Sequence, residues 1–195
     1  MSERPKRKEH RLINYDYSQN GAYFVTICTK NMAHYFWDEN NTTRFPNTNL
    51  DNPIYSVGAA FGGPRNKIKL SEFGKIVKNE LKTIPNIYTD IVFIHKFVIM
   101  PNHIHMIIVI NKNFEANDNS GPPKAAPTLG RIINQFKGSI SKKCGYKIWQ
   151  KSFYDRVIRN NREYLEIWRY IENNPINWLN GIEEDEFYKG EIYND

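Results

Sequence analysis

Two histidines one residue apart, His103 and His105, stand in the run FVIMPNHIHMIIVI at positions 97–110. In a β-strand, side chains alternate between faces. Both imidazoles would then point the same way, their Cα atoms about 7 Å apart, close enough to share one metal ion. The residues around them, Ile104, Ile107, Ile108, Val109 and Ile110, favour a buried strand, so the pair would sit on a rigid element. Such a pair also arises incidentally in apolar strands, and on these residues alone a structural role stays open. A metal needs a third ligand, and a catalytic metal also needs a position for substrate. Tyr170 and Asn174 are four residues apart in a helical pattern and therefore share a face. Two imidazoles and the hard amide oxygen of Asn174 would suit Mg²⁺ or Mn²⁺ with room for a phosphate oxygen, which the Tyr170 phenol would attack.

The neighbours of that tyrosine bear on the choice. Ile167, Trp168 and Ile171 suffice for the apolar stripe of their helix, which leaves Tyr170 unneeded in the core. Tyr154 and Tyr164 remain rival nucleophiles, but Tyr164 lies six residues before Tyr170, about 240° around a helix, and cannot serve the same face. A histidine-triad nucleotide hydrolase would also place alternating histidines on a strand, but it requires a third at position 107, which is Ile107.

These groups need elements to carry them. AYFVTICT (22–29) reads as a first strand. Residues 40–66 hold NNTT, FPNTN, DNP and FGGP and read as an excursion. A first helix follows, with Ser71 as N-cap, Phe73, Ile76, Val77, Leu81 and Ile84 near helical spacing, and Pro85 as the expected stop. Residues 91–100 and 103–110 form two antiparallel strands joined around 100–102, where Pro101 is tolerated. Residues 111–127 are a polar, Pro- and Gly-containing loop. A second helix spans 129–144 with Leu129, Ile132, Ile133, Phe136 and Ile140 on one face. A short strand within 147–158 precedes a third helix, with Asn160 as N-cap, Glu163 completing a capping box and Pro175 as the expected terminator. The order β, α, β, β, α, β, α predicts an α+β fold: a ferredoxin-like antiparallel sheet with helices on one face plus a C-terminal tyrosine-bearing helix.

The whole chain, 1–195, is expected to be one domain, long enough to bury a core without disulfides. Lys and Arg outnumber Asp and Glu by 27 to 21, with a pI near 9.2, an excess that suits a polyanionic partner. The basic residues cluster in an N-terminal arm (1–13) and at Lys137, Lys142, Lys143 and Lys147, which equally fits a solvated tail and helix face. Two cysteines and no long apolar run predict a reduced, cytoplasmic protein without a membrane segment.

The segments DYSQNGAYFVTICTKN, VIMPNHIHMIIVI, IWQKSFYDRVIRN and REYLEIWRYIENNP, in that order, resemble the single-tyrosine HUH (IS200-like) transposases, specifically their REP-associated tyrosine transposase branch. The resemblance covers most of the chain outside 40–66 and 111–127. It implies that His103 and His105 are metal ligands, that Tyr170 is the nucleophile and that Asn174 completes the site. It further implies cleavage and rejoining of single-stranded DNA near palindromic hairpins through a 5′-phosphotyrosine intermediate, by a monomer or homodimer. Arg4, Lys6, Arg7, Lys8 and Arg11 would then hold phosphates, with Lys137, Lys142 and Lys143 flanking the hairpin. The alternative is a domesticated hairpin-binding protein of the same fold that no longer transposes.

Overall fold

The β-branched and aromatic runs of the sequence form one four-stranded antiparallel sheet in the computed structural model, which describes residues 15–17, 19–38, 68–111 and 127–181. Its strands are β1 (Gly21–Cys28), β2 (Val92–Ile99), β3 (His103–Ile110) and β4 (Tyr154–Ile158), and its helices α1 (Glu72–Ile87), α2 (Leu129–Cys144) and α3 (Asn161–Leu179). The spatial order β2-β3-β1-β4 is the ferredoxin-like one, and the α+β expectation is borne out. The N-terminal arm with Arg4, Lys6, Arg7, Lys8 and Arg11, the expected excursion at 40–66 and most of the loop at 111–127 lie outside the described residues.

The two faces of the sheet have different tasks. Register pairs Thr26 with His105, Cys28 with His103 and Phe24 with Ile107, and partners directly opposite each other share a face. The alternate residues, Tyr23, Val25, Ile27, Ile104, Met106 and Ile108, are fully buried on the other side. There α1 packs along β2 and against α2, which contributes Ile132, Ile133, Phe136 and Ile140 to the same core. Helix α3 covers the histidine face, against β2 and β3.

Both predicted proline stops are corrected. Ser71 caps α1 as expected, accepting from the Gly74 amide at 3.1 Å, but the helix continues through Pro85 to Ile87. Likewise α3 passes through the buried Pro175 to Leu179. Each proline falls in or near a last turn, where it removes one intrahelical bond, to Leu81 and Ile171 respectively, and leaves few beyond it to disturb. Among the described residues, no helix is long and apolar enough to cross a membrane, and neither Cys28 nor Cys144 forms a disulfide.

One glycine fixes α1 to the loop that supports the site. A Cβ built on Gly74 would come within 2.2 Å of the Phe36 carbonyl oxygen, whereas one on Gly138, in the middle of α2, meets nothing within 4 Å. Gly74→Ala should therefore destabilise the fold by about 3 kcal/mol, since backbone has to move. Gly138→Ala should stabilise it by about 0.5–1 kcal/mol through helix propensity. Equilibrium urea unfolding of both variants checks the opposite signs.

Candidate active site

β3 begins on a turn that the preceding chain holds from several sides. Pro101 O accepts from the amides of Tyr35 and Phe36 at 2.9 and 3.0 Å, and Asn102 O accepts from the Thr29 amide and hydroxyl at 2.8 and 2.9 Å. Trp37 Nε1 donates to Ile99 O at 2.7 Å. The turn is thus fixed before the first histidine.

The Asn102 side chain then sets the chemistry of His103. Its Oδ1 lies 2.7 Å from His103 Nδ1 while its Nδ2 points to Met32 O at 3.4 Å, which identifies the oxygen as the atom facing the ring. An amide oxygen only accepts, so Nδ1 carries the hydrogen and Nε2 carries the lone pair. On the neighbouring strand, Thr26 Oγ1 stands 2.8 Å from His105 Nδ1. The two rings are 4.5 Å apart, with His103 2% and His105 0% exposed. Burial, reinforced by the adjacent His34, pushes His103 down to about 3, and burial with His103 alongside drives His105 well below the ordinary value. Both imidazoles are neutral at pH 7, the state that ligates a metal.

Helix α3 is docked so that one face runs across the pair. At its start Asn160 Oδ1 accepts from the Glu163 amide at 2.9 Å, Glu163 accepts from the Arg159 amide at 2.8 Å, and Arg156 of β4 pairs with Glu163 at 2.5 Å. Further along, Tyr170 Oη is 3.3 Å from His105 Nε2, and its ring packs edge-on to Phe24. Two turns later Trp178 packs on His103 at 6.0 Å between ring centroids and on His34 at 5.6 Å. Asn174 stands midway between Tyr170 and Trp178 on the same face, and is 0% exposed with neither amide atom hydrogen-bonded. Tyr164, the rival nucleophile, faces elsewhere, with its hydroxyl 2.9 Å from His95 Nδ1 on β2.

These residues fit a hard divalent cation. A buried carboxamide with both ends orphaned costs about 1–3 kcal/mol unless something satisfies it. This one lies on the helix face that spans two neutral imidazoles, one with its Nε2 lone pair fixed by a hydrogen bond behind it. No three His, Cys, Asp or Glu side chains converge on a metal site among the described residues, so the third protein ligand would have to be the amide of Asn174.

The predicted DNA-facing lysines are divided. Lys137 is buried, and its ammonium donates to the carbonyls of Gln150, Lys151 and Ser152 at 2.7, 3.4 and 3.1 Å, tying α2 to the loop before β4. That placement commits the ammonium to the fold, against the expectation that Lys137 flanks the hairpin. Lys143 is ion-paired with the buried Glu80 carboxylate, which Ser139 also donates to, and so joins α2 to α1. Lys142 is exposed. Asn102, Thr26, His34 and Trp178 were not singled out by sequence. Only Asn102, adjacent to the first histidine, offered a signal that could have found it.

This sheet, with a tyrosine helix laid over a His-x-His strand, defines an α+β protein with the fold of a REP-associated tyrosine transposase. The structure of such a transposase bound to a REP hairpin superposes with a TM-score of 0.51 at 16% identity, over 91% of this chain and 77% of that one. A transposase candidate from Deinococcus radiodurans R1 aligns at a TM-score of 0.42 and 12% identity, over 84% of this chain and 95% of that one, too weak a likeness to bear on the fold. No protein-family model matches the chain. An uncharacterized protein of Haemophilus influenzae (strain ATCC 51907 / DSM 11121 / KW20 / Rd) is 31% identical over 196 residues, covering 93% of each chain, and the present chain belongs to the family of that protein.

Proposed function

We propose that this protein is a divalent-metal-dependent transposase that cleaves and rejoins single-stranded DNA beside a hairpin through a phosphotyrosine intermediate. The observation that carries this reading is the single face of α3 on which Tyr170 meets His105, Trp178 meets His103 and the orphaned Asn174 carboxamide lies between. His103, His105 and Asn174 would hold Mg²⁺ or Mn²⁺. Such an ion, when bound, supplies charge neutralisation and polarisation of the scissile phosphate. The phenol oxygen of Tyr170 attacks phosphorus, the Oη–P bond forms as the P–O3′ bond breaks, and the proton lost by the phenol is balanced by the one taken up at the departing 3′-oxygen. The bond energy is kept in the phosphotyrosine, so a later 3′-hydroxyl can reverse the step without a nucleotide cofactor. Hairpin DNA as the substrate follows the likeness in fold to a transposase bound to a REP hairpin.

Incubation with end-labelled single-stranded hairpin DNA and Mg²⁺ or Mn²⁺ tests the reading. A denaturation-resistant protein–DNA adduct that EDTA prevents is the expected result. Hairpin binding with no adduct under any divalent metal would favour the domesticated binding protein instead. Asn174→Leu separates ligation from packing. Replacing the orphaned amide by a similarly sized apolar group should raise the unfolding free energy of the metal-free protein by about 1–3 kcal/mol. The same change should remove metal-dependent adduct formation. Urea titration in EDTA, run beside the adduct assay, reads both, and a destabilised Asn174→Leu would mean that the amide is satisfied in the metal-free fold.

A further inference from the structure

Tyr170 Oη sits 3.3 Å from Nε2 of His105, the nitrogen through which that ring would ligate. The other nitrogen, Nδ1, is engaged at 2.8 Å by Thr26 Oγ1 on the adjacent central strand, and His105 is completely buried between Phe24, His103 and Tyr170. The ring therefore has little freedom to present a different atom. If the phenol donates, the Nε2 lone pair is engaged; if Nε2–H donates, that position carries a proton; in either case a cation needs the same position on Nε2.

We propose that the Tyr170 hydroxyl and the divalent cation compete for His105 Nε2, so that metal entry is the event that releases the nucleophile. This inference rests on the assignment of His103, His105 and Asn174 as the metal site. In the metal-free state the phenol is stored on the histidine. Binding of the ion breaks the Oη···Nε2 contact and forms the ligand bond, which frees the hydroxyl for the phosphate. The phenol is half-buried at the rim of the site, while Asn174, one turn further along α3, is fully buried. Rotation of the Tyr170 side chain therefore suffices, and the helix need not leave the sheet. The device makes the nucleophile available only when the charge that activates the phosphate is already in place.

The competition has a signature that requires no DNA and no turnover. A neutral hydrogen bond contributes about 1 kcal/mol net, or roughly five-fold in an equilibrium constant. Calorimetric titration of the metal-free protein with Mn²⁺ should therefore show Tyr170→Phe binding about five-fold more tightly than wild type. Tyr164→Phe, which loses a comparable contact to His95 away from the site, should bind as wild type does. His105→Ala should lose Mn²⁺ binding. Unchanged or weaker binding by Tyr170→Phe, with binding still lost in His105→Ala, overturns the competition and leaves the metal site standing. Mn²⁺ binding that survives in His105→Ala overturns both. Circular dichroism of each variant establishes that it is folded before titration.

Discussion

Tyr170→Phe is expected to abolish the covalent protein–DNA adduct, lowering its rate of formation on the order of 10⁴-fold or more while leaving the fold and hairpin binding intact. Loss of a nucleophile on that scale is usual when no neighbouring group can substitute, and among the described residues α3 offers no second tyrosine on that face. Tyr164 is turned onto β2, where its hydroxyl meets His95 Nδ1 at 2.9 Å, and burial raises its pKa, which makes it a poorer nucleophile than an ordinary phenol. Tyr170 alone on α3 reaches His105. An unperturbed phenol, with a pKa of about 10, reacts poorly at neutral pH. The tyrosine is therefore useful only beside a neutralised phosphate, and the two neutral imidazoles and the orphaned amide lie on that side of it. Mass spectrometry of the adduct should place the DNA on the tryptic peptide containing Tyr170. An adduct persisting in Tyr170→Phe, or mapped to Tyr164 or Tyr154, sinks the assignment.

Periodicity made much of the scaffold legible in the sequence. The bounds of β3 and α2 coincide with those expected, because an eight-residue apolar run between turn residues and a helix with an unbroken apolar stripe admit few alternatives. Tyr170 and Asn174 were legible for the same reason, since a spacing of four fixes a common helix face. Proline was over-read as a terminator, because a helix can lose one bond near its end when packing holds the turn. Lys137 was misread by residue type. It stands four residues after Ile133 and three before Ile140, on the buried stripe, and its long stem carries the ammonium to three backbone carbonyls. The groups that hold the histidines were not legible. Thr26 reaches His105 across 79 residues and Trp178 reaches His103 across a comparable separation, and nothing local in the sequence encodes either contact. Asn102 and Thr26 define the site as much as the two rings do, because they present the ring nitrogens.

Acid should unfold the metal-free protein unusually early, and the sign follows from the two histidines. Their folded pKa values are depressed, His103 to about 3 and His105 well below its ordinary value, both chiefly by burial. In the unfolded chain each titrates near 6.5. Between those limits the unfolded state binds more protons than the folded one, so stability falls as pH falls through the window and is fully present above it. At pH 5 each histidine contributes a loss of about 2 kcal/mol, and the pair on the order of 4 kcal/mol, a large share of the roughly 5–15 kcal/mol typical of a domain. Stopping at pH 5 keeps most carboxylate titration out of the comparison. Urea unfolding in EDTA at pH 7 and pH 5 reads the loss directly. In His103→Asn, whose amide nitrogen can still donate to Asn102 Oδ1, the loss should be about half as large. Equal stability at the two pH values would mean that the imidazoles titrate alike in the folded and unfolded states, which would refute the depression by burial.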